Sequence, residues 1–193
     1  MNKRFVFFLF LTLTLFSSCR RVSVPKPYGY FRIDLPEHTY YYPSLSHYPY
    51  TFLISQHATI RPVKRQGERY WLDITYPAYH ATIHCSYKPV RSNLRVLTDD
   101  AAEFVFSHVI KASAIPEQVY EHPEEHVYGL WFDLEGNTAT PLQFYLTDST
   151  RHFFRAALYF NNIPNQDSLA PVTAFIREDM QTLIESFQWQ NTR

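Results

Sequence analysis

Residues 79–88 alternate strictly between apolar and polar side chains, and this alternation restricts the fold more than any other feature of the sequence. Because successive side chains of a β-strand point to opposite faces, the segment predicts a strand with one buried and one solvated face. Such strands are typical of antiparallel sheets, which can keep one face in water. The apolar positions are Tyr79, Ala81, Ile83, Cys85 and Tyr87, and the polar positions are His80, Thr82, His84, Ser86 and Lys88.

Other segments rich in aromatic and β-branched residues predict further strands, separated by clusters of Pro, Gly, Ser and His. Two turn sequences, Glu135-Gly136-Asn137 and Asp148-Ser149-Thr150, separate the last three strands and predict a meander. Besides 79–88, the predicted strands cover 29–35, 50–54, 58–64, 69–76, 126–134, 141–147 and 152–160.

Two segments show helical periodicity. Thr98-Asp99-Asp100 supplies N-cap side chains and a favourable charge for a helix over about 99–112. Its inward positions are expected to be Ala101, Phe104, Val105, Val109 and Ala112. A second helix is expected to begin at Asp167-Ser168, with Pro171 in its first turn, where the missing N–H costs little. Its apolar stripe consists of Leu169, Val172, Ile176, Met180, Leu183 and Phe187.

Many strands with one internal and one C-terminal helix predict an α+β fold with a mainly antiparallel sheet. The order of strands, helix, meander and closing helix is similar to that of the PsbP/Mog1-type fold.

The N-terminus predicts export. Lys3 and Arg4 precede an apolar run from Phe5 to Phe16, which is shorter than the roughly 20 apolar residues that a membrane-spanning helix needs. A positive end followed by a short apolar run is typical of a secretory signal. Ser17-Ser18-Cys19 follows and resembles a bacterial lipobox, in which the cysteine thiol carries a diacylglyceryl group. The alternative is ordinary signal cleavage at another position, with Cys19 as a bystander.

These features divide the chain into a lipoprotein signal peptide (1–18), a tether (19–27) and a single α+β domain (28–193). Removal of the signal peptide takes away two basic residues, so 16 basic and 18 acidic residues remain and the formal charge becomes −2. A nearly neutral domain without a basic stripe gives no reason to expect nucleic acid as a partner.

The residues that carry chemistry in common enzymes do not form a recognisable motif. The four glycines of the sequence are isolated, so a phosphate-binding loop, a nucleophile elbow and a dinucleotide fingerprint are not found. Cys85 belongs to the apolar set of its strand, which predicts an inert core residue and not a reactive thiol. We therefore expect no enzymatic activity and no cofactor.

Residues 122–126, His-Pro-Glu-Glu-His, formally match the H-x-x-E-H pattern of a class of zinc peptidases. That chemistry needs two histidines one turn apart on a stable helix, whereas Pro123 interrupts the motif and a predicted strand follows. We expect a solvated loop without a metal, and zinc-dependent hydrolysis is the alternative. His80 and His84 share a strand face, but they lie about 13 Å apart, too far to bind one metal ion.

Two sets of residues are candidates for contact with a partner. The first is the polar face of the predicted strand 79–88, for which a merely hydrated surface is the alternative. The second lies between Tyr28 and Tyr50, a stretch with seven tyrosines, where interface contact or sugar stacking competes with filling of the core. The candidate residues are His80, Thr82, His84, Ser86, Lys88, Tyr40, Tyr41 and Tyr42.

Several segments after Cys19 carry a family resemblance in the same order along nearly the whole mature chain. They are 25–36, 83–90, 128–129, 135–137, 144–150, 155–160, 167–172 and 177–179. Together they resemble the gliding-motility lipoprotein GldD family of Bacteroidetes.

The resemblance implies a non-enzymatic envelope component that is needed for surface gliding and for the linked type IX protein-secretion system. It implies Cys19 as the lipidation site, a membrane anchor, and other gliding and secretion proteins as partners. Arg20-Arg21 lacks the acidic run expected of surface-exported lipoproteins, so we expect a periplasm-facing anchor. An envelope glycan-binding module, with peptidoglycan bound by the tyrosine-rich stretch, is the alternative function.

Overall fold

Antiparallel strands make up most of the fold. The computed structural model describes residues 33–64, 66–107, 112–161 and 165–191. The helices of this part of the chain are α1 (Leu94–Phe106) and α2 (Gln166–Glu185). Its strands are β1 (Tyr40–Tyr41), β2 (Tyr50–Thr51), β3 (Ile54–Ser55), β4 (Thr59–Pro62), β5 (Leu72–Tyr76), β6 (Ala81–Pro89), β7 (Ala112–Ala114), β8 (Glu117–His122), β9 (Val127–Asp133), β10 (Glu135–Gly136), β11 (Leu142–Thr147), β12 (His152–Phe160) and β13 (Gln188–Trp189).

Seven strands form the main sheet, in the order β4-β5-β6-β12-β11-β9-β8, and every neighbouring pair is antiparallel. The two longest strands, β6 and β12, pair at the centre of the sheet from Ala81↔Phe160 to Pro89↔His152. Three small two-stranded sheets, β1-β3, β2-β13 and β7-β10, complete the described part of the fold. The predicted α+β class with a mainly antiparallel sheet is confirmed.

One face of the sheet carries the main hydrophobic core and packs against α2. The alternation predicted for 79–88 holds, because Ala81, Ile83, Cys85 and Tyr87 are all buried in this core. The apolar stripe of α2 is confirmed as well: Val172, Ile176, Met180 and Leu183 are buried, and Phe187 is buried just after the helix. Leu169 is only half buried and lies at the edge of the cluster. Aromatic rings fill the centre of this face.

The opposite face of the sheet is partly covered by α1. Leu97 and Ala101 of the helix pack on Phe153 of β12, and Val105 packs on Phe132 and Leu134. These two clusters are small, and they leave the part of the face between β5 and β12 without a helix above it. One helix therefore packs on each face, but the two faces are covered unequally.

The start of α1 differs from the prediction. The helix begins at Leu94 after Asn93, five residues before the predicted start, so Thr98-Asp99-Asp100 lies inside the helix. Leu94, Leu97, Ala101 and Val105 share the face toward the sheet, and burial of this stripe outweighs the local capping signal. Phe104 was predicted to point inward, but it is 56% exposed. Ala112 lies in β7, and Val109 lies outside the described residues.

Several predicted boundaries also change. The single strand expected at 50–54 is divided into β2 and β3, and residues 33–35 are not in a strand. A short 3₁₀ helix at Pro77–Tyr79 precedes β6, and His80 follows it with a left-handed backbone (φ 49°). Asn165 caps α2, which puts Pro171 in the second turn and not the first. The strands that the sequence did not predict are β1, β7, β8, β10 and β13.

The turn at Asp148-Ser149-Thr150 has the predicted position. The Asp148 carboxylate accepts hydrogen bonds from the backbone N–H groups of Thr150, Arg151 and His152, at 3.0, 2.7 and 2.8 Å. Burial raises the pKa of Asp148, but these three hydrogen bonds and the charge of His152 together bring the pKa below its ordinary value. The predicted signal peptide, the tether and Cys19 lie outside the described residues.

Candidate functional site

A cavity of about 780 Å³ lies on the sheet face opposite α2. Its walls come from β5, β6 and β12, from the segments before β5 and after β12, and from one side of α1. Because α1 covers only part of this face, the cavity is the space that remains between the helix and the first strands of the sheet. Cavities of this size hold small ligands or short polymer segments.

Three of the five residues predicted for the polar face of 79–88 line this cavity: His84, Ser86 and Lys88. Their positions follow from the alternation, because every second side chain of β6 faces away from the main core and these three belong to that set. Thr82 points to the same face of the sheet but is buried. His80 does not belong to the face, because its left-handed backbone turns it out of the strand. The strand face therefore includes His84, Ser86 and Lys88 but not His80, and its contact with a partner stays a prediction.

His84 is oriented by an aspartate that the sequence did not predict. Its Nδ1 atom lies 2.7 Å from Oδ1 of Asp73, which is its direct cross-strand partner in β5. The His84 ring also lies 5.4 Å from the ring of Tyr159. The hydroxyl of Ser86 donates to the backbone carbonyl of Arg155 at 3.5 Å, so it is not directed at His84. The structure thus forms an acid–imidazole pair but not a hydrogen bond between serine and histidine.

Arg155 of β12 is the second residue of the site that the sequence did not predict. The Arg155 guanidinium donates a hydrogen bond to the side-chain oxygen of Gln143, and Gln143 is only 1% exposed. The Cζ atom of Arg155 lies 4.7 Å from the ring centroid of Phe104. Burial lowers the pKa of the Arg155 guanidinium from its ordinary value, although an arginine remains charged at neutral pH. A half-buried cation thus forms part of the cavity wall.

The remaining lining combines charges of both signs with aromatic rings. The cations are Lys64, Lys88 and Arg155, the carboxylates are Glu68, Asp73 and Asp100, and the rings include Trp71, Phe104 and Tyr159. Charged groups can form ion pairs with a ligand, and the rings can contact its apolar parts. This composition suits binding of a segment that carries both charged and apolar groups.

Cys85, next to these residues in sequence, faces the core. It is 2% exposed, and burial raises the pKa of its thiol well above the ordinary value. The prediction of an inert core cysteine agrees with this position, because a buried neutral thiol is a poor nucleophile.

The tyrosine-rich stretch divides between core and surface. Tyr50 is fully buried, whereas Tyr41 and Tyr42 are 41% and 56% exposed. Tyr40 is half buried, and its hydroxyl lies 3.1 Å from Nδ1 of His38. The described part of this stretch, from residue 33 onward, contacts α2 through His38, so it lies on the other side of the sheet from the cavity. The structure therefore does not bring the two predicted sets of contact residues together.

His38 belongs to a polar cluster within the core face. Its Nδ1 atom lies 2.7 Å from Oδ1 of Asp179, a carboxylate that is 3% exposed. The other oxygen of Asp179 accepts a hydrogen bond from the Tyr76 hydroxyl at 2.9 Å. Burial, and then the charge of Asp179, raises the pKa of Tyr76, which stays a neutral donor. The cluster joins the segment around β1 to α2.

The H-x-x-E-H segment lies on a tight turn between β8 and β9. Pro123–Glu125 form a 3₁₀ helix, and His126 has a left-handed backbone (φ 53°) that leads into β9. The two histidines are therefore not on an α-helix, as the zinc-peptidase arrangement requires. In the part of the chain that the structure describes, no group of three or more His, Cys, Asp or Glu side chains is placed to hold a metal ion.

Comparison with known proteins gives one family. The family described as gliding motility lipoprotein GldD matches residues 20–189. No curated protein sequence matches the chain. Among solved structures, cyanobacterial PsbP (CyanoP) from Synechocystis sp. PCC 6803 is similar, with 13% identity and a TM-score of 0.48, covering 83% of this chain and 97% of that one. Among the described residues, neither helix is long and apolar enough to cross a bilayer.

Proposed function

The chain belongs to the gliding motility lipoprotein GldD family, and on this basis we propose that it is a non-enzymatic accessory or scaffolding lipoprotein of the gliding and type IX secretion machinery. It acts through contacts with other proteins of that machinery. The family match carries the proposal, because it extends over residues 20–189 and so includes nearly the whole chain after the predicted signal peptide.

The proposed anchor is a lipid attached to Cys19, and the tether after it faces the periplasm. The sequence around Cys19 supports lipidation, and the family is described as a lipoprotein family. Each buried methylene of an acyl chain contributes about 0.8 kcal/mol, so two or three chains would hold the protein stably at a membrane. A Cys19→Ala variant should therefore lose its membrane attachment.

The proposed contact surface is the cavity and its polar rim on β6. His84 and Lys88 are exposed there, and Asp73 fixes the orientation of His84. The two small hydrophobic clusters under α1 leave this region open, while the other face of the same strands is filled by the core. Polar residues on rigid central strands can contact a partner without reorganisation of the fold.

The proposal is tested by affinity purification of the lipidated, tagged protein from detergent-solubilised envelopes, with Cys19→Ala in parallel. We expect gliding or secretion subunits to be recovered with the lipidated protein and to decrease strongly with Cys19→Ala. A second measurement follows secretion and surface movement after deletion of the gene. Normal assembly, secretion and movement in the deletion strain would contradict a role in this machinery.

The second candidate function is binding of an envelope glycan. Two neighbouring exposed rings, Tyr41 and Tyr42, favour it, because aromatic rings stack on sugars. Sedimentation with purified peptidoglycan tests it, with the double variant Tyr41→Ala/Tyr42→Ala as the probe. Tyr40 should be left unchanged, since it is hydrogen-bonded to the His38 cluster. Retention that is lost in the double variant would support glycan binding, and equal retention of both proteins would exclude these tyrosines as the site.

A further inference from the structure

The cavity wall holds two cations close together on neighbouring strands. Arg155 of β12 lies directly opposite Ser86 of β6, and Lys88 lies opposite Phe153, two positions further along. Since side chains two positions apart on a strand share a face, Arg155, Ser86 and Lys88 all face the cavity. Two positive charges and one hydroxyl are thus arranged along one side of it.

The orientation of Arg155 leaves part of its guanidinium available. Gln143 accepts a hydrogen bond from one terminal nitrogen, and the ring of Phe104 covers one flat side. Within the described residues, no ion pair involves Arg155 or Lys88. Asp73, the lining carboxylate on β5, is hydrogen-bonded to His84. Because a partly desolvated cation without a counter-ion is costly, an incoming anion gains more here than at an exposed arginine.

The carboxylates of the lining limit how much negative charge a ligand can carry. Glu68, Asp73 and Asp100 all line the cavity, so a second acidic group would meet charges of the same sign. The rings of Trp71, Phe104 and Tyr159 offer contact to apolar side chains. The lining therefore fits a segment with one anionic group beside apolar or aromatic groups.

We propose that the cavity binds an acidic peptide segment of a partner protein, with a single carboxylate held by Arg155 and Lys88 and neighbouring apolar side chains against the aromatic wall. The proposal rests on the proposed function as a protein-contacting lipoprotein. Arg155 is the main recognition residue, because its planar guanidinium can donate two parallel hydrogen bonds to a carboxylate.

The test uses the lipidated full-length protein in detergent and two libraries of terminally blocked tetrapeptides. One library has Glu at a fixed position with randomised neighbours, and the other has Gln at that position. We expect retention of peptides from the Glu library to exceed that of the Gln library by at least about tenfold, with enrichment of aromatic or aliphatic neighbours, since tenfold corresponds to about 1.4 kcal/mol. Equal retention of the two libraries, or enrichment of peptides with several acidic residues, would overturn the proposal.

Substitutions assign the effect to the cavity. Arg155→Gln and Lys88→Gln should each reduce binding of the best Glu peptide, and Arg155→Lys should restore it only in part because it lacks the planar fork. Arg95→Gln is the matched control, since Arg95 is a highly exposed cation on α1 outside the cavity lining. If Arg155→Gln fails to fold, Lys88→Gln and Arg155→Lys still decide the result. Unchanged affinity in those two variants contradicts the assignment.

Two further experiments distinguish peptide binding at the cavity from general anion binding and from failure of the proposed function. Inorganic phosphate serves as a competitor, and if it displaces the peptide at equal concentration, the site is a general anion site and the peptide proposal fails. Recovery of machinery subunits from envelopes is then compared between the wild-type protein and Arg155→Gln. If both recover the same subunits, the cavity proposal fails, while the proposed role as a component of the machinery stands. If the wild-type protein itself recovers none, the proposed function fails.

Discussion

The two faces of the seven-stranded sheet are built from alternate residues of the same strands, and yet they differ sharply. On the α2 face, Leu72, Phe154 and Leu158 are fully buried in one continuous core. On the α1 face, Arg155 and His84 of the same region line an open cavity. The comparison teaches that period-two alternation lets one strand stabilise the fold with one face and remain available for contact with the other.

The same contrast applies to the two acid–histidine pairs. Asp179 and His38 lie 2.7 Å apart, with Asp179 almost fully buried and hydrogen-bonded also to Tyr76. Asp73 and His84 lie at the same distance on the cavity face, but the His84 side chain is 53% exposed. The Asp179–His38 pair should therefore contribute to stability, whereas the Asp73–His84 pair should contribute little, because water competes for both of its groups.

The largest effect is expected from the core face. Phe154→Ala removes a fully buried ring that packs against the rings of Tyr50, Phe52 and Phe187, and it should reduce the free energy of unfolding by about 3–5 kcal/mol. Equilibrium unfolding in denaturant measures this. Phe104→Ala is the control, and we expect a loss of about 1 kcal/mol or less because Phe104 is mostly exposed. Equal losses would contradict the division between the faces.

The buried acid–histidine pair should give the next largest effect. Asp179→Ala leaves the Tyr76 hydroxyl buried without its acceptor and should cost about 1–3 kcal/mol of unfolding free energy. Adding Tyr76→Phe should recover part of that loss, since the unpaired hydroxyl is then removed. Asp73→Ala on the cavity face should cost about 0–1 kcal/mol. A cost for Asp73→Ala that matches Asp179→Ala would show that exposure does not separate the two pairs.

A smaller, pH-dependent effect is expected from His152. Burial lowers the pKa of His152, with the charge of Asp148 opposing the shift and that of Arg151 adding to it. Its ring stacks on Trp189, and its Nδ1 atom lies 2.8 Å from the Tyr87 hydroxyl. Since the folded pKa lies below the unfolded value, the unfolded state binds more protons, and stability falls as pH drops from about 6.5.

Unfolding free energies measured between about pH 8 and pH 5 test this sign, in a range above the ordinary carboxyl pKa values. His152→Phe should flatten the profile, because the aromatic stack remains while the titrating group is lost. If the unfolding free energy rises on acidification, or if His152→Phe leaves its pH dependence unchanged, another group controls the pH dependence of stability.

The smallest effect on stability is expected at the polar rim of the cavity. Lys88→Gln should change the free energy of unfolding by less than about 0.5 kcal/mol, because Lys88 is exposed and forms no ion pair among the described residues. Thermal unfolding of the wild-type protein and the variant checks this. A large loss would mean that the polar rim also stabilises the fold.

The sequence predicted the parts of the fold that follow from local periodicity. The alternation of β6 and the apolar stripe of α2 were both recognised, because each repeats often enough to identify the buried face. β8 was missed since it is an edge strand with mostly exposed residues, and the strands of two or three residues are too short to show any period. The start of α1 was misplaced because Thr98-Asp99-Asp100 is a good capping sequence that burial of Leu94 and Leu97 overrides.

For the candidate site, the sequence predicted one strand face and none of its partners. His84, Ser86 and Lys88 follow from alternation within β6, whereas Asp73 and Arg155 reach the cavity from other strands. The hydrogen bond between His38 and Asp179 joins residues 141 positions apart. Such contacts depend on strand order and register, which period-two patterns leave open. His80 was assigned to the face because alternation cannot reveal the left-handed turn before the strand.

The central claim is that the partner contacts the cavity face of the sheet and not the exposed outer side of α2. The most direct test places a photo-crosslinking residue at Lys88, or at the exposed position Gln181 on α2, in otherwise intact cells. We predict crosslinks to a gliding or secretion protein from position 88 and none from position 181. Crosslinks from position 181 with none from position 88 would contradict the claim, because they would place the partner on the face that we assign to stability.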